Sequence, residues 1–309
     1  MLLNLIIFLI SCIILAKSSQ IIIKTLTKLA IFLRLTEFSI GFILMAISTT
    51  LPELFVGINS ALKNNTALSL GNVLGSNIVN LSLILGIVII LSKNIDTKSK
   101  IIEKNIKYMF FISLIPMLFM LDHIISRLEG LVLISIFIIY IYRVSKERKP
   151  EQKITDNSSL DLYKNFGLFF LGISLLILSA NFVVGYGTKL AIDLFVPPIL
   201  IGLFMIAIGT SLPELAFGVK ASLKKHPKMS LGNLTGASIV NSTLVLGATA
   251  IIKPITANFK LFLIASLFLI IINTLYLIFI KTNKKLTINE GIILIIIYIT
   301  FLITELMIK

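Results

Sequence analysis

Two glutamates stand in surroundings that rarely hold a charge. The stretches Ala46-Ile47-Ser48-Thr49-Thr50-Leu51-Pro52-Glu53-Leu54 and Ala207-Ile208-Gly209-Thr210-Ser211-Leu212-Pro213-Glu214-Leu215 each set a Pro-Glu pair inside a long apolar run. An ionisable side chain at the centre of a membrane helix costs about 2.5–3.5 kcal/mol on insertion scales, so Glu53 and Glu214 call for a function. The proline before each lacks an N–H and clashes with the carbonyl four residues back, that of Ser48 or Gly209. A kink there releases carbonyl oxygens toward the interior of a helix bundle. Two carboxylates, the hydroxyls of Thr49, Thr50, Thr210 and Ser211, and the freed carbonyls form an all-oxygen donor set. Such a set suits hard cations such as Ca2+ and Na+ rather than zinc or copper.

A second polar block follows each glutamate. Ser69-Leu70-Gly71-Asn72-Val73-Leu74-Gly75-Ser76-Asn77-Ile78-Val79-Asn80 is mirrored by Ser230-Leu231-Gly232-Asn233-Leu234-Thr235-Gly236-Ala237-Ser238-Ile239-Val240-Asn241. Glycines four apart let helices approach closely, and Asn72, Ser76 and Asn80 share one helix face opposite the glutamates. Each feature has an ordinary reading: a proline that only kinks, glycines that only pack, an asparagine that only bridges two helices. Duplication decides against it. Thr27–Gly86 aligns without gaps onto Thr188–Gly247 at a constant offset of 161, with about half the positions identical. Hydropathy alone would not reproduce the polar residues, so the two copies define one symmetric polar site.

The elements that must hold these residues are membrane helices. The 309 residues are 57% hydrophobic and 14% charged, and mean hydropathy is +1.04, against about 25% charge in soluble domains. Apolar runs near the roughly 20 residues that span a bilayer recur throughout. The spacing predicts spans over 2–23, 36–62, 67–92, 105–121, 125–144, 163–190, 197–222, 229–252, 258–280 and 288–307. Runs such as Leu261–Ile272 and Gly291–Ile303 are apolar on nearly every face, which excludes an alternating transmembrane barrel. The polar stretch around Arg148-Lys149-Pro150 reads as a linker over 146–161, between five spans in 1–145 and five in 162–309. Because five is odd, the second copy inserts inverted relative to the first, the architecture of many secondary transporters. The fold expected is an all-α polytopic membrane protein of ten transmembrane helices in two inverted five-helix repeats.

The net charge of +14 would suggest a nucleic-acid partner in a soluble chain. Position argues otherwise: all but six of the 28 Lys and Arg residues (Lys63, Arg127, Lys189, Lys253, Lys260, Lys309) fall in the odd-numbered loops or the helix ends beside them. That asymmetry puts those loops in the cytoplasm and both termini outside a cell membrane. Leu2–Ala16 lacks a basic residue ahead of it and reads as the first span rather than a cleaved signal peptide. Cys12, the single cysteine, allows no intramolecular disulfide, and two histidines with no tryptophan argue against a haem or polyhistidine metal site. His123 and His226 read as surface or lipid-facing residues.

Thr49-Thr50-Leu51-Pro52-Glu53 with Gly71-Asn72-x-x-Gly75-Ser76-Asn77, repeated as Gly209-Thr210-Ser211-Leu212-Pro213-Glu214 with Gly232-Asn233-x-x-Gly236, closely resembles the α-repeats of the sodium/calcium exchanger family. The resemblance covers about 60 residues in each half, and the span layout extends it to the whole chain. It implies ten helices, outside termini and a central diamond of four sites shared by Ca2+ and Na+ as transported ions, without a cofactor. Carried over, the ligands are Glu53 and Glu214, with Thr49, Thr50, Ser76, Asn80 and the Ala46 carbonyl from the first repeat. Thr210, Ser211, Asn241 and the Ala207 carbonyl come from the second. The chain departs from the family pattern at Ser48, where glycine is usual, at Ala237, where a serine is expected to ligate Na+, and at Ser238, where the first copy has Asn77. At Asn241 many relatives carry aspartate, so one central charge is absent and K+ cotransport is disfavoured.

These expectations describe a monomeric antiporter in a lipid bilayer, exchanging Na+ for Ca2+ by alternating access, with spans one and six as a sliding gate. An H+/Ca2+ exchanger is the alternative, because a buried carboxylate deprived of its cation takes a proton readily. A passive cation channel fits broken inverted repeats less well. An enzyme is not expected, since no nucleophile–base arrangement accompanies the carboxylates.

Overall fold

Side chains that are apolar around the whole helix can be buried only in lipid or against one another, and backbone polar groups must then be satisfied within each helix. The computed structural model describes residues 1–32, 45–146 and 162–307. Positions 36–44 of the second expected span and 147–161 of the expected linker lie outside the described residues. The first half contains α1 (Leu2–Phe32), α2 (Met45–Thr49), α3 (Leu51–Leu62), α4 (Thr66–Ile78), α5 (Leu85–Ser92), α6 (Lys100–Phe119) and α7 (Arg127–Lys146). The second contains α8 (Leu162–Asp193), α9 (Pro198–Leu200), α10 (Ala207–Thr210), α11 (Leu212–Leu223), α12 (Pro227–Val240), α13 (Leu246–Ile252), α14 (Phe259–Asn283) and α15 (Ile288–Met307).

Stretches of π-helix at Val79–Ile84, Ile201–Ile206 and Asn241–Val245 join α4 to α5, α9 to α10 and α12 to α13. Among the described residues, seven helices are long and apolar enough to cross a membrane. The pair Pro198–Thr210 and Leu212–Leu223, bent by 41°, makes an eighth if it is one span. The chain is therefore a helical, multi-pass membrane protein.

Two rods form its centre. Thr66–Ser92 and Pro227–Ile252 are 83% and 78% buried within the protein, whereas the other five crossing helices are 33–44% buried and face outward. Glycines set how closely the central rods are approached. A Cβ on Gly71 would overlap the Ile199 carbonyl oxygen, and one on Gly75 the Leu203 carbonyl, so the backbone from α9 into the following π stretch lies directly on α4.

Short strands that hydropathy does not register tie the loops together. β1 (Asn94–Asp96), β2 (Ile124–Ile125), β3 (Ile255–Thr256) and β4 (Lys285–Thr287) pair antiparallel, β1 with β4 and β2 with β3. Each ladder takes one strand from each half. Positions 94 and 255, and 125 and 286, are each 161 apart, so the two ladders are copies of one device with the halves exchanged. The same offset relates two helix starts. Before α7, Glu129 accepts from the Ser126 N–H at 2.7 Å, and before α15, Glu290 accepts from the Thr287 N–H at 2.6 Å. At the first, the Glu129 N–H donates back to Ser126 Oγ at 3.3 Å, completing a capping box; at the second, Glu290 takes the Thr287 hydroxyl as well, at 3.3 Å.

Candidate functional site

The proline effect read from sequence appears as two helix breaks at equivalent positions. Thr50, between α2 and α3, has φ −87° and ψ 3°, and Ser211, between α10 and α11, has φ −82° and ψ 1°. The helices restart with proline in their opening positions, so each glutamate lies in a first turn, at the positive end of the helix dipole. Ser48, one of the carbonyls freed by proline, accepts a long hydrogen bond of 3.5 Å from Ser19 Oγ of α1.

Glu53 and Glu214 are wholly buried, at 0% exposure. The side chains around them arrive from both halves. Ser76 Oγ of α4 donates to Glu53 Oε1 at 3.3 Å and also pairs with Thr210 Oγ at 3.2 Å. Two symmetric bonds cross the centre: Thr210 Oγ donates to Asn72 Oδ1 at 3.1 Å, and Thr49 Oγ to Asn233 Oδ1 at 3.3 Å. Thr49 also lies beside the Glu214 carboxylate, yet among the described residues neither oxygen of that carboxylate has a hydrogen-bond partner.

The other expected ligands are also buried, in α2, α10 and the breaks after them and in the two central rods, in differing local states. Thr50 turns its hydroxyl to the Ala46 and Ile47 carbonyls, both at 3.0 Å. The Ala46 carbonyl also accepts from Thr49 Oγ at 3.4 Å, while the Ala207 carbonyl accepts from Thr210 Oγ at 3.3 Å. Asn241 Nδ2 donates to Asn77 Oδ1 at 3.1 Å, and Asn77 Nδ2 in turn to Ser242 Oγ at 3.0 Å. Among the described residues this leaves Asn241 Oδ1 without a partner, as are Ser211 Oγ, both polar atoms of Asn80, and Glu53 Oε2. Buried polar groups are nearly always satisfied. The unpartnered atoms are mostly oxygens, with the amide nitrogens of Asn72, Asn80 and Asn233 beside them. Among the described residues, no cluster of three or more His, Cys, Asp or Glu forms, and this donor set of two acids plus neutral oxygens fits a hard cation taken as substrate.

Asn72, Asn233, Asn77 and Ser242 have roles here that the ligand list omits. Asn72 and Asn233 are the same residue in both copies, so duplication marks them. Asn77 aligns with Ser238, and its partnership with Asn241 across the halves has no sequence signal.

A multi-pass helical fold with paired breaks and paired buried carboxylates at its core is the frame of a membrane ion transporter. Comparison with known proteins agrees: a family model described as sodium/calcium exchanger protein matches residues 3–146 and again 164–307, and the chain belongs to this family. Sodium/calcium exchanger MaX1 of Methanosarcina acetivorans is 28% identical over 97% of both chains. Inner membrane protein YrbG of Escherichia coli is 32% identical over 70% of this chain and 69% of its own. Among solved structures, the sodium-calcium exchanger NCX_Mj superimposes with a TM-score of 0.71 at 27% identity over 97% of each chain. The H+/Ca2+ exchanger CAX superimposes with a TM-score of 0.82, covering 97% of this chain and 82% of its own; at 18% identity it speaks for the fold alone.

Proposed function

We propose that this protein is a secondary active antiporter that exchanges Na+ for Ca2+ by alternating access. Glu53, Glu214, Thr49, Thr50, Ser76, Asn80, Thr210, Ser211, Asn241 and the Ala46 and Ala207 carbonyls hold the ions. The observation that carries this reading is the pair of fully buried carboxylates with three of four oxygens lacking a hydrogen-bond partner among the described residues. Two ionised carboxylates balance one Ca2+. Stripped of cations, the same charges are too costly to carry through a low-dielectric barrier, so the protein moves only when loaded, with Ca2+ or with Na+. Three Na+ against one Ca2+ would leave one net positive charge and make exchange electrogenic.

The reading includes ten crossings in two inverted halves, 1–145 and 162–309. The bent segment Met45–Leu62 and α7 would supply the crossings beyond the eight. The strand pairings support the sidedness: β1 and β4 belong to odd-numbered loops, β2 and β3 to even-numbered ones. Basic residues concentrate in the odd loops, giving a cytoplasmic face there and outside termini. The gate is formed by α1 and α8, the longest described helices, which pack along one another and bury Ser18, Ser19 and Ser179.

Ca2+ uptake into proteoliposomes loaded with Na+, with K+, or with acid tests the proposal, with Glu214→Gln as control. Uptake that needs internal Na+ and disappears in the variant is expected. Uptake driven only by the proton gradient would assign the same site to H+/Ca2+ exchange. Near-normal uptake by both Glu53→Gln and Glu214→Gln would overturn the site itself.

A further inference from the structure

A groove of about 710 Å3 runs between α1 and α11, apart from the carboxylate site. Its walls are apolar, with Ile13 on one side and Leu215, Val219 and Leu223 on the other, but Lys17, Lys220 and Lys224 also line it. All three lysines are exposed, and among the described residues none has an ion pair or a side-chain hydrogen bond. They are arranged in depth. Cys12 of α1 is level with Gly209, whose added Cβ would lie 3.1 Å from its sulfur. At 1.5 Å per residue, Lys17 is about 7 Å along α1 from that level, and Lys220 and Lys224 are about 14 and 20 Å beyond the break at Ser211. Long lysine stems lie along apolar surface and carry their ammonium groups outward, so Lys17, the deepest of the three, reaches toward Lys220 and Lys224 nearer the mouth of the slot.

The other half shows that this is not a general property of the fold. At the offset of 161, Lys17 corresponds to Leu178 and Lys220 to Asn59. Lys224 corresponds to Lys63, whose ammonium is taken by the Asn181 carbonyl at 2.7 Å. There α3 closes on α8: Asn65 donates to Thr188 at 2.9 Å, and Val56 is buried in one cluster with Val183 and Val184. One copy of the interface is closed, with its lysine hydrogen-bonded to a backbone carbonyl; the other is a groove lined by apolar side chains and three lysines.

We infer that the α1–α11 groove is a binding site for an anionic phospholipid, with an acyl chain between Ile13 and Leu215, Val219 and Leu223 and the phosphate held by Lys17, Lys220 and Lys224. Three uncompensated ammonium groups repel Ca2+ and Na+, so the groove is poorly suited as a cation route. They match a headgroup phosphate, for which lysine acts as a point charge, and basic groups at a membrane surface draw anionic lipid. The site is independent of the exchange reading, and its test needs no transport.

The full-length protein is reconstituted into mixed phosphatidylcholine and phosphatidylglycerol vesicles, extracted, and examined by native mass spectrometry for retained lipid. The wild type is expected to retain phosphatidylglycerol in preference to phosphatidylcholine. Lys17→Gln/Lys220→Gln/Lys224→Gln should lower that retention by about tenfold or more, while Lys98→Gln/Lys281→Gln/Lys285→Gln, with the same change of charge, keeps it. Ala216→Trp, which fills the slot and leaves the lysines in place, should also expel the lipid. Equal retention by the two triple variants, no preference over phosphatidylcholine, or full displacement by inorganic phosphate would each overturn the proposal.

Discussion

Asn72→Leu isolates one of the two bonds that cross the centre of the site. Asn72 Oδ1 accepts the Thr210 hydroxyl proton at 3.1 Å, so the Thr210 lone pairs face Ser76 Oγ at 3.2 Å and a bound cation. Without Asn72, the nearest remaining acceptor in the same helix is the Ala207 carbonyl, already at 3.3 Å, itself a proposed ligand. One proposed ligand then loses its orientation and another is engaged more strongly. A neutral buried hydrogen bond contributes about 0.5–1.5 kcal/mol, which corresponds to a loss of about 2- to 12-fold in Ca2+ affinity. Isothermal titration of Ca2+ into the purified protein measures this, in a double-mutant cycle with Thr210→Val. The loss caused by Asn72→Leu should largely vanish in the Thr210→Val background. A loss that persists in full there would show that Asn72 acts elsewhere and refute the reasoning. Asn233→Leu with Thr49→Val should give a similar coupling, because that bond is the symmetric copy.

Asn241→Asp restores a central negative charge. The relay can accept it, because Asn77 can turn its amide to donate to the new carboxylate and take a hydrogen bond from Ser242, a hydroxyl that both donates and accepts. Ca2+ affinity should rise by about tenfold or more relative to Na+; unchanged selectivity in competitive titration would remove Asn241 from the site. Gly71→Ala should destabilise the fold by about 1–3 kcal/mol, since its Cβ would meet the Ile199 carbonyl and backbone must shift. A thermal melt equal to that of the wild type would contradict the close approach of α9 to α4.

The membrane class, the positions of the helix breaks and the burial of both glutamates were legible in the chain because each follows from local chemistry. Apolar runs force helices, proline removes a donor, and an isolated charge in such a run must face inward. Most helices start and stop within several residues of the expected limits, but α1 runs on to Phe32, nine residues past the expected end at 23, because Lys24-Thr25-Leu26-Thr27-Lys28 lowers hydropathy without breaking a helix. The strand ladders were not legible: Asn94–Asp96 and Ile124–Ile125 are too short to show a period, and their partners lie in the other half of the chain. The π stretches were equally hidden, because π and α backbone place similar demands on composition.

The duplicated Pro-Glu and Gly-Asn blocks, read alone, determined that this chain carries one symmetric, all-oxygen polar site inside a bilayer, since duplication is a property of sequence. Which oxygens are already engaged was decided by tertiary structure. The Asn241 amide is spoken for by Asn77 while its oxygen is left over, and Thr50 is turned to its own helix. Tertiary structure also made the two halves unequal, closing α3 against α8 while leaving a groove between α1 and α11 lined by three lysines that have no ion pair among the described residues. A hydrogen bond between residues 164 positions apart, or a gap between two helices, depends on how distant segments pack, and one-dimensional periodicity carries no term for that.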